Sequence, residues 1–279
     1  MSEIKINPGV YPNMSNDDYH NDKQSLSRSS IRDFADCPYK YWALHLNPLR
    51  PPKVRTDEMI FGSAFHTFIL ENDKFEDEYF ILPEKVYKKD NAEQYEINKA
   101  LEEEAEKTNK IVLSQKEYFT LCDMRDALNR DERAINLIKG AVYESSYFWK
   151  DEGSGLMVKA RPDILHTNMI VDLKTIADAS PESFRRSMAT GRYHVQGAMI
   201  RDGVRAIEGR DIPNVINVCI EKKYPYAVGI YLIEEPALET GQIEYKHHLK
   251  GIKECIETNV WPSYAIETVG LPRWYASNS

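Results

Sequence analysis

The chain has 279 residues, of which 42% are hydrophobic, and its formal net charge is -8. This length and composition fit a globular protein with one large or two modest domains, and the negative charge excludes a basic protein that coats nucleic acid non-specifically. The first residues lack the apolar segment of a signal peptide and no apolar run approaches the roughly 20 residues that span a bilayer, so we expect a cytoplasmic protein without membrane contact.

The first part of the chain predicts an extended arm followed by helices. The arm is expected up to about Asn21, because Asn, Asp and Pro are frequent there. Ser27 is a suitable N-cap for a helix that ends before Pro38. Residues 59–70 are apolar enough to form a buried helix, in which His66 is the conspicuous polar residue.

A charged stretch and a second capped helix complete this half. Residues 84–110 contain many Glu and Lys residues and predict an exposed helical insertion. Ser114 and Glu117 have the spacing of a capping box, so an amphipathic helix is expected to begin there. Gly140 closes the mainly helical part of the chain.

Short strands dominate the sequence from residue 142. Apolar runs separated by turn sequences predict an antiparallel meander of three strands, over 142–149, 156–165 and 169–175. A helix is expected over 181–191, because Ser, Pro and Glu at its start favour helix initiation. Another helix follows over 193–204.

A hairpin and a long helix are expected at the end of the chain. The hairpin is predicted over 215–221 and 227–233. From 238 to 256, apolar residues recur at spacings of three or four, which is typical of a helix packed on a sheet.

These elements predict the fold class. It is α/β, with a central mixed sheet flanked by helices, in a single domain over residues 1–279. Residues 1–140 are expected to form a mainly helical N-terminal addition. Residues 141–279 are expected to form the core and the C-terminal helix.

Cysteine spacing bears on the metal chemistry. The four cysteines lie far apart in the sequence, at Cys37, Cys122, Cys219 and Cys255. Without a Cys-x-x-Cys pair, neither a zinc knuckle nor a local iron-sulfur motif is predicted. We therefore expect reduced, mostly buried thiols and no iron-sulfur cluster.

Asp172 and Lys174 are the most informative residues of the chain. Residues two apart on a strand face the same side, so the carboxylate and the ammonium are aimed at one site. Asp163 brings a second carboxylate from the preceding strand. Two acids that bind a hard divalent cation, beside a lysine that stabilises a phosphate, suit phosphodiester hydrolysis. The alternative is a solvated strand end, but Asp172 follows the apolar run 169–171, where a charge is unfavourable.

Six short motifs occur along the chain. They are, in order, Gly62-Ser63-Ala64-Phe65-His66, Tyr143-Glu144-Ser145-Ser146, Arg161-Pro162-Asp163, Asp172-Leu173-Lys174-Thr175, Tyr193-His194-Val195-Gln196 and Leu271-Pro272-Arg273-Trp274. Together they resemble the RecE-like exonucleases, in the RecB-like branch of the PD-(D/E)xK nuclease superfamily. The resemblance runs from about Gly9 to Trp274, and six ordered motifs are far more specific than any one of them.

The resemblance implies a metal site and a catalytic lysine. Its metal ligands are His66, Asp163, Asp172 and the backbone carbonyl of Leu173, and its catalytic residues are Asp163, Asp172 and Lys174. Imidazole, carboxylate and carbonyl donors suit Mg²⁺, with Mn²⁺ as a substitute. Two ions are expected, since one cation activates water while a second stabilises the leaving oxygen.

Two of the candidate residues have an alternative role. A histidine on an apolar helix is more often a core residue than a ligand, so without the resemblance the residue pattern favours a core role for His66. Glu144 is predicted as a catalytic acid near the site. It is equally a strand residue paired with a base.

The expected DNA contacts come from the arginines and from the helix after the acidic strands. The Gln196 amide is predicted to bind a phosphate or the terminal nucleotide, and Arg161 and Arg192 are predicted phosphate contacts. RecB-like nucleases commonly have Tyr one helical turn after this Gln. Here that residue is Ile200, so Tyr193 is the expected aromatic substitute.

The resemblance also implies a function. RecE-like enzymes are prophage-type exodeoxyribonucleases that degrade the 5′-ended strand of linear double-stranded DNA and leave 3′ overhangs. They act in DNA recombination with a RecT-like single-strand annealing protein and form toroidal homotetramers. Two alternatives stay open: another RecB-like nuclease, of the type used in CRISPR adaptation, that acts on single-stranded DNA, and a non-catalytic DNA-binding protein.

Overall fold

The structure of the protein is a computed structural model, which describes residues 6–51 and 54–271. Residues 272–274 of the sixth predicted motif lie outside these ranges. No helix within the ranges is long and apolar enough to cross a membrane. The α-helices are α1 (Asn16–Asn21), α2 (Arg28–Asp36), α3 (Pro38–Tyr41), α4 (Asp57–Leu70), α5 (Asn72–Glu78), α6 (Ala92–Lys107), α7 (Gln115–Arg130), α8 (Glu132–Ile138), α9 (Pro181–Gly191), α10 (Tyr193–Glu208) and α11 (Glu235–Thr258), with a π-helical turn over Trp42–Leu46.

The strands are short and form three sheets in the described ranges. They are β1 (Gly9–Tyr11), β2 (Tyr79–Leu82), β3 (Ile111–Ser114), β4 (Val142–Tyr143), β5 (Ser146–Lys150), β6 (Met157–Ala160), β7 (Ile164–Leu165), β8 (Met169–Ile176), β9 (Asn214–Glu221) and β10 (Val228–Leu232). The main sheet has the order β10-β9-β8-β7-β4. It is mixed, as predicted, because β8 and β9 run parallel while its other neighbours are antiparallel.

The predicted three-stranded meander is wrong in one respect, because its first two strands bend and divide between two sheets. Strands β4 and β7 belong to the main sheet, whereas β5 and β6 join β1 in a separate antiparallel sheet. The pairing keeps one register on both sides of the bend. At the bend, Glu144 has a φ of 48° and its N–H donates to the carbonyl of Asp163 (3.2 Å). The left-handed residue and the neighbouring Pro162, which has no N–H, interrupt the ladder there.

Helices cover both faces of the main sheet. On one face, α2, α10 and α11 pack with apolar strand residues such as Ile170 and Val215. On the other face, α4 and α7 pack with the alternate residues, including Val171 and Val218. This alternation follows from the period of two along each strand. Because α4 and α7 belong to the first 140 residues, the N-terminal part forms one layer of the shared core.

Helix boundaries agree with the capping signals of the sequence. Ser27 caps α2 and Ser114 caps α7, as predicted, and both form a capping box. Helix α6 lies within the predicted insertion, and its buried residues are Asn98 and Ala105 alone. The predicted extended arm is wrong, because that segment contains β1 and α1, and Ser15 caps α1.

Candidate active site

A row of four polar residues crosses the main sheet. Asp172 pairs with Asn217 in the parallel register of β8 and β9. The antiparallel register of β7 and β8, continued by one residue, brings Asp163 opposite Asp172. The bend described above brings Glu144 opposite Asp163. Directly opposed residues have Cβ atoms about 4.5–5.5 Å apart, so the sheet gathers three carboxylates and an amide in one place.

His66 joins two of these carboxylates from helix α4. Its Nδ1 lies 3.5 Å from Oε1 of Glu144 and 3.6 Å from Oδ1 of Asp163. The preceding residue, Phe65, is fully buried and anchors this turn of the helix in the core. The imidazole is 26% exposed, so His66 is not a buried packing residue.

His66, Glu144 and Asp163 form the histidine–acid cluster. Their ligand atoms all lie within 4.8 Å of one another, a spacing that fits one metal ion. Two predicted ligands, His66 and Asp163, are therefore brought together. Glu144, for which two roles were open, is paired with a base and is also part of the cluster.

The close charges alter the proton affinity of the cluster. Burial raises the pKa of Asp163 to about 7, and while His66 opposes this shift, Asp172 and Glu144 add to it. Burial favours the neutral form of His66, but the carboxylates of Asp163 and Glu144 outweigh it and raise the pKa to about 9. Crowded carboxylates next to an imidazolium are groups that a divalent cation would stabilise in place of protons.

The backbone of Leu173 belongs to the same place. Its N–H donates to Oδ2 of Asp163 (2.7 Å). In an extended strand, the N–H and the carbonyl of one residue point to the same edge, so the Leu173 carbonyl also faces this side. The residue opposite it in the continued register is Pro162, which has no N–H. The carbonyl predicted as a metal ligand therefore has no ladder donor at this position.

Asp172 is bound by three donors beside the histidine–acid cluster. Nζ of Lys174 lies 3.0 Å from Oδ1 and 2.8 Å from Oδ2. Nε2 of Gln196 donates to Oδ1 (2.7 Å), and Nδ2 of Asn217 donates to Oδ2 (2.8 Å). Asp172 is 3% exposed, and these donors offset the loss of water around its charge. In this arrangement its partners are donors, and its role as a metal ligand stays a prediction.

Lys174 remains a cation at the site. Burial disfavours the ammonium, but Asp172 and Asp163 raise the pKa of Lys174 above its usual value. The ammonium also lies 3.2 Å from Oε1 of Gln196 and 5.1 Å from the centre of the Tyr193 ring. A permanent positive charge next to the histidine–acid cluster is suited to stabilise a phosphate.

Helix α10 places two of the predicted DNA-binding residues at the site. Gln196 contacts Asp172 and Lys174, as described above, and Tyr193 packs near Phe184 with 6.2 Å between ring centres. Ile200, one turn after Gln196, is 2% exposed and lies in the core. Tyr193 therefore supplies an aromatic ring beside the lysine, whereas Ile200 is an apolar core residue.

The two arginines predicted to contact DNA are engaged within the protein. Arg161 donates to Oγ of Ser146 (2.8 Å) and to Oδ1 of Asn16 (2.6 Å), which ties the N-terminal segment to the bend of the hairpin. Arg192 lies 2.9 Å from the carboxylate of Glu244, which ties the start of α10 to α11. These contacts give both arginines a structural role, and their contacts with DNA stay predictions.

Two further residues at the site were not among those predicted. Arg28 donates to the carbonyl of Gly191 (2.5 Å), and burial lowers the pKa of Arg28 while the nearby carboxylates of Asp172 and Asp163 oppose this shift. Nothing local in the sequence distinguishes Arg28 from a surface arginine. Asn217 did have a signal, since it interrupts the apolar run of β9, where Asn is unfavourable.

Comparison with known proteins identifies the family. A family model described as "PDDEXK-like domain of unknown function (DUF3799)" matches residues 27–269. The chain belongs to this family. A crystal structure described as "Putative exonuclease" from Eubacterium rectale is similar over 95% of this chain and 98% of that chain, with a TM-score of 0.65 and 17% sequence identity. No curated protein matches the chain.

The comparisons confirm the predicted α/β fold and the PD-(D/E)xK resemblance. At 17% identity, the structural likeness concerns the fold alone, so the function has to be argued from the residues. PD-(D/E)xK nucleases typically use divalent metal ions. The imidazole nitrogen and carboxylate oxygens of the histidine–acid cluster are donors that suit Mg²⁺ or Mn²⁺.

Proposed function

We propose that this protein is a metal-dependent exodeoxyribonuclease that acts on the ends of linear double-stranded DNA. The observation that carries the proposal is the meeting of His66, Glu144 and Asp163 in one cluster beside Asp172 and Lys174. Carboxylates and a lysine at one site supply what phosphodiester hydrolysis requires: cation binding, and stabilisation of the charge on the reacting phosphate.

Each residue of the site has a part in this proposal. The histidine–acid cluster, Asp172 and the Leu173 carbonyl hold Mg²⁺ or Mn²⁺, with two ions expected. When bound, such ions supply an acidified water and neutralise charge on the leaving oxygen. Lys174 stabilises the reacting phosphate. Gln196 and Tyr193, which lie beside Lys174, position the terminal nucleotide.

Polarity, partner and assembly are proposed from the resemblance to RecE-like exonucleases. The enzyme would degrade the 5′-ended strand, leave a 3′ overhang and act in recombination with a RecT-like single-strand annealing protein. It would work as a toroidal homotetramer. The support is the order of the six motifs along nearly the whole chain.

Digestion of end-labelled duplexes tests the proposal. Linear duplexes labelled at the 5′ or the 3′ end are incubated with Mg²⁺, with Mn²⁺ or with EDTA, and acid-soluble label is measured. We expect metal-dependent release of the 5′ label first, retention of the 3′ label on long fragments, and no release from closed circular duplex. Early loss of the 3′ label would contradict the polarity alone. No release with either metal would contradict the nuclease proposal.

The same assay separates the alternative functions. Preferred degradation of circular single-stranded DNA would indicate a different RecB-like task. Retention of duplex DNA on the protein, without metal-dependent release of nucleotides, would indicate a non-catalytic binding protein. Asp172→Ala is the control for a contaminating nuclease, because this variant should lose hydrolysis under every condition.

A further inference from the structure

Asn217 is a buried polar residue of the site that the proposed chemistry has not used. It is 2% exposed, and its chain neighbours Ile216 and Val218 face the layer of α4 and α7. Its side chain therefore lies on the other face of the sheet, where its amide binds Asp172.

All of the lone-pair sites of the Asp172 carboxylate are occupied by donors. An ionised carboxylate has about four lone-pair sites. Asp172 contacts Lys174 through both oxygens, and it accepts one hydrogen bond each from Gln196 and Asn217. A lone pair becomes free for a cation only when one of these donors leaves.

Lys174 is the donor that is able to leave. Its ammonium has further partners close by, Oε1 of Gln196 at 3.2 Å and the ring of Tyr193 at 5.1 Å. The amides of Gln196 and Asn217 are shorter side chains fixed on a helix and on a strand, and each directs one N–H at a different oxygen of Asp172. After Lys174 leaves, these two amides still hold the carboxylate from both sides.

One side-chain atom of Asn217 works against the stability of the strand. Its Oδ1 is buried without a hydrogen-bond partner, and an unsatisfied buried acceptor destabilises the folded state. Apolar β-branched residues would fit this strand better. A residue that weakens its own element while binding a site carboxylate indicates a functional role.

We propose that Asn217 is a positioning residue, which keeps Asp172 in place when a divalent cation displaces Lys174 from this carboxylate and takes the freed lone pair. The inference rests on the proposed nuclease function. It assigns Asn217 no contact with DNA. It makes Asn217 necessary for metal affinity, and through that affinity for hydrolysis.

Metal binding without DNA tests this role. Calorimetric titration of the metal-free Asn217→Val and Asn217→Ala proteins with Mn²⁺ should give a dissociation constant raised by roughly 10- to 100-fold, as is typical when a group that orients a metal ligand is lost. The melting temperature of Asn217→Val in EDTA should stay near that of the wild type, since the substitution also removes the unsatisfied acceptor.

Asn98→Ala is a matched control. Asn98 is also buried, at 7% exposure, but it lies on α6 and its amide donates to the carbonyl of Glu84 (2.7 Å). This variant should melt at a lower temperature and bind Mn²⁺ with unchanged affinity.

The outcomes separate the inference from the proposed function. Unchanged Mn²⁺ affinity and wild-type hydrolysis in an Asn217 variant would overturn the inference and leave the nuclease proposal intact. A wild-type protein that neither binds Mn²⁺ nor releases nucleotides would overturn the nuclease proposal itself. If Asn217→Val does not fold, Asn217→Ala decides the question, because the smaller side chain introduces no clash.

Discussion

The same substitution is expected to have opposite effects at Lys174, which is partly buried, and at Lys159, which is buried. Lys174 lies at the site, next to a carboxylate that two amides also hold. Lys159 lies 3.1 Å from the buried carboxylate of Asp22, and its ammonium also donates to the carbonyls of Tyr19 and Asp22 in the N-terminal segment. Lys174→Met should reduce single-turnover hydrolysis by roughly 10²- to 10³-fold, because a fixed charge at the phosphate is lost, while the protein stays folded.

Lys159→Met is the control for this prediction. It leaves Asp22 buried and unpaired, which should lower the free energy of unfolding by about 3–5 kcal/mol. Urea unfolding and rates per folded molecule distinguish the two effects. Near wild-type hydrolysis by the Lys174 variant would remove the lysine from the mechanism.

The pKa values of Asp163 and His66 predict how stability depends on pH. The pKa of Asp163 is about 7 in the fold and about 3.9 in unfolded chains, so the folded state holds an extra proton between these values and loses stability as the pH rises through them. The pKa of His66 is about 9 in the fold and about 6.5 unfolded, so its contribution is present below about pH 6.5 and is lost as the pH rises to 9. Both groups make the metal-free protein less stable at higher pH.

Metal binding should reverse this trend, because a cation binds the deprotonated ligands. The increase in melting temperature on adding Mn²⁺ should therefore grow from about pH 5.5 to about pH 8.5, measured by scanning fluorimetry against EDTA. His66→Gln should flatten the upper part of this profile. An increase of the same size at every pH would show that the cation binds elsewhere.

The residues that could be predicted are those whose direction is fixed by local geometry. Strand alternation fixes Asp172 and Lys174 on one face, whatever the rest of the fold does. The pairing of His66 with Glu144 depends on where α4 crosses the end of the sheet, and that contact joins residues far apart in sequence. The local sequence pattern can identify such residues as candidates, but it cannot predict which of them contact each other.

At the level of elements, two helix glycines make a matched pair. A Cβ added at Gly62 in α4 would meet no heavy atom within 4 Å, whereas a Cβ at Gly241 in α11 would lie 2.7 Å from the carbonyl oxygen of His194. Gly62→Ala should stabilise the protein by up to about 1 kcal/mol, since Ala loses less backbone entropy in a helix. Its melting temperature should rise by about 2 °C.

Gly241→Ala should have the opposite sign. Its methyl group would push α11 away from α10, and overpacking of this kind typically destabilises by about 1–3 kcal/mol. Thermal unfolding of both variants in EDTA measures the difference. A lower melting temperature for Gly62→Ala would mean that this face of α4 is not open in the folded protein.

Helices and strands could be predicted where a short sequence motif marks their ends. Capping residues located the starts of α2 and α7. The bend in the hairpin was not predicted, because the strand residues on its two sides keep one register. The strands divide at the left-handed backbone of Glu144. This conformation could not be predicted from the sequence, because residues other than glycine rarely adopt it.

At the level of the whole molecule, the N-terminal half and the main sheet, which carries the acidic residues of the site, depend on each other. Helices α4 and α7 cover a face of β8 and β9 that would otherwise be exposed. The order of the elements predicted a single domain, but not this sharing, because periodicity shows which face of a helix is apolar and not which sheet it covers.

The net charge of -8 constrains how such a protein retains DNA. A processive nuclease has to hold a polyanion through many cycles, and an acidic surface repels it unless positive side chains line one channel. Closure of subunits into a ring would retain the duplex topologically. For the toroidal tetramer that the resemblance to RecE-like exonucleases implies, we predict a mass about four times the 32.3 kDa chain mass by light scattering, and digestion that continues after excess unlabelled duplex is added. An active monomer, or release of the duplex after every few nucleotides, would contradict the ring, because a monomer with this charge has no topological means to stay on its substrate.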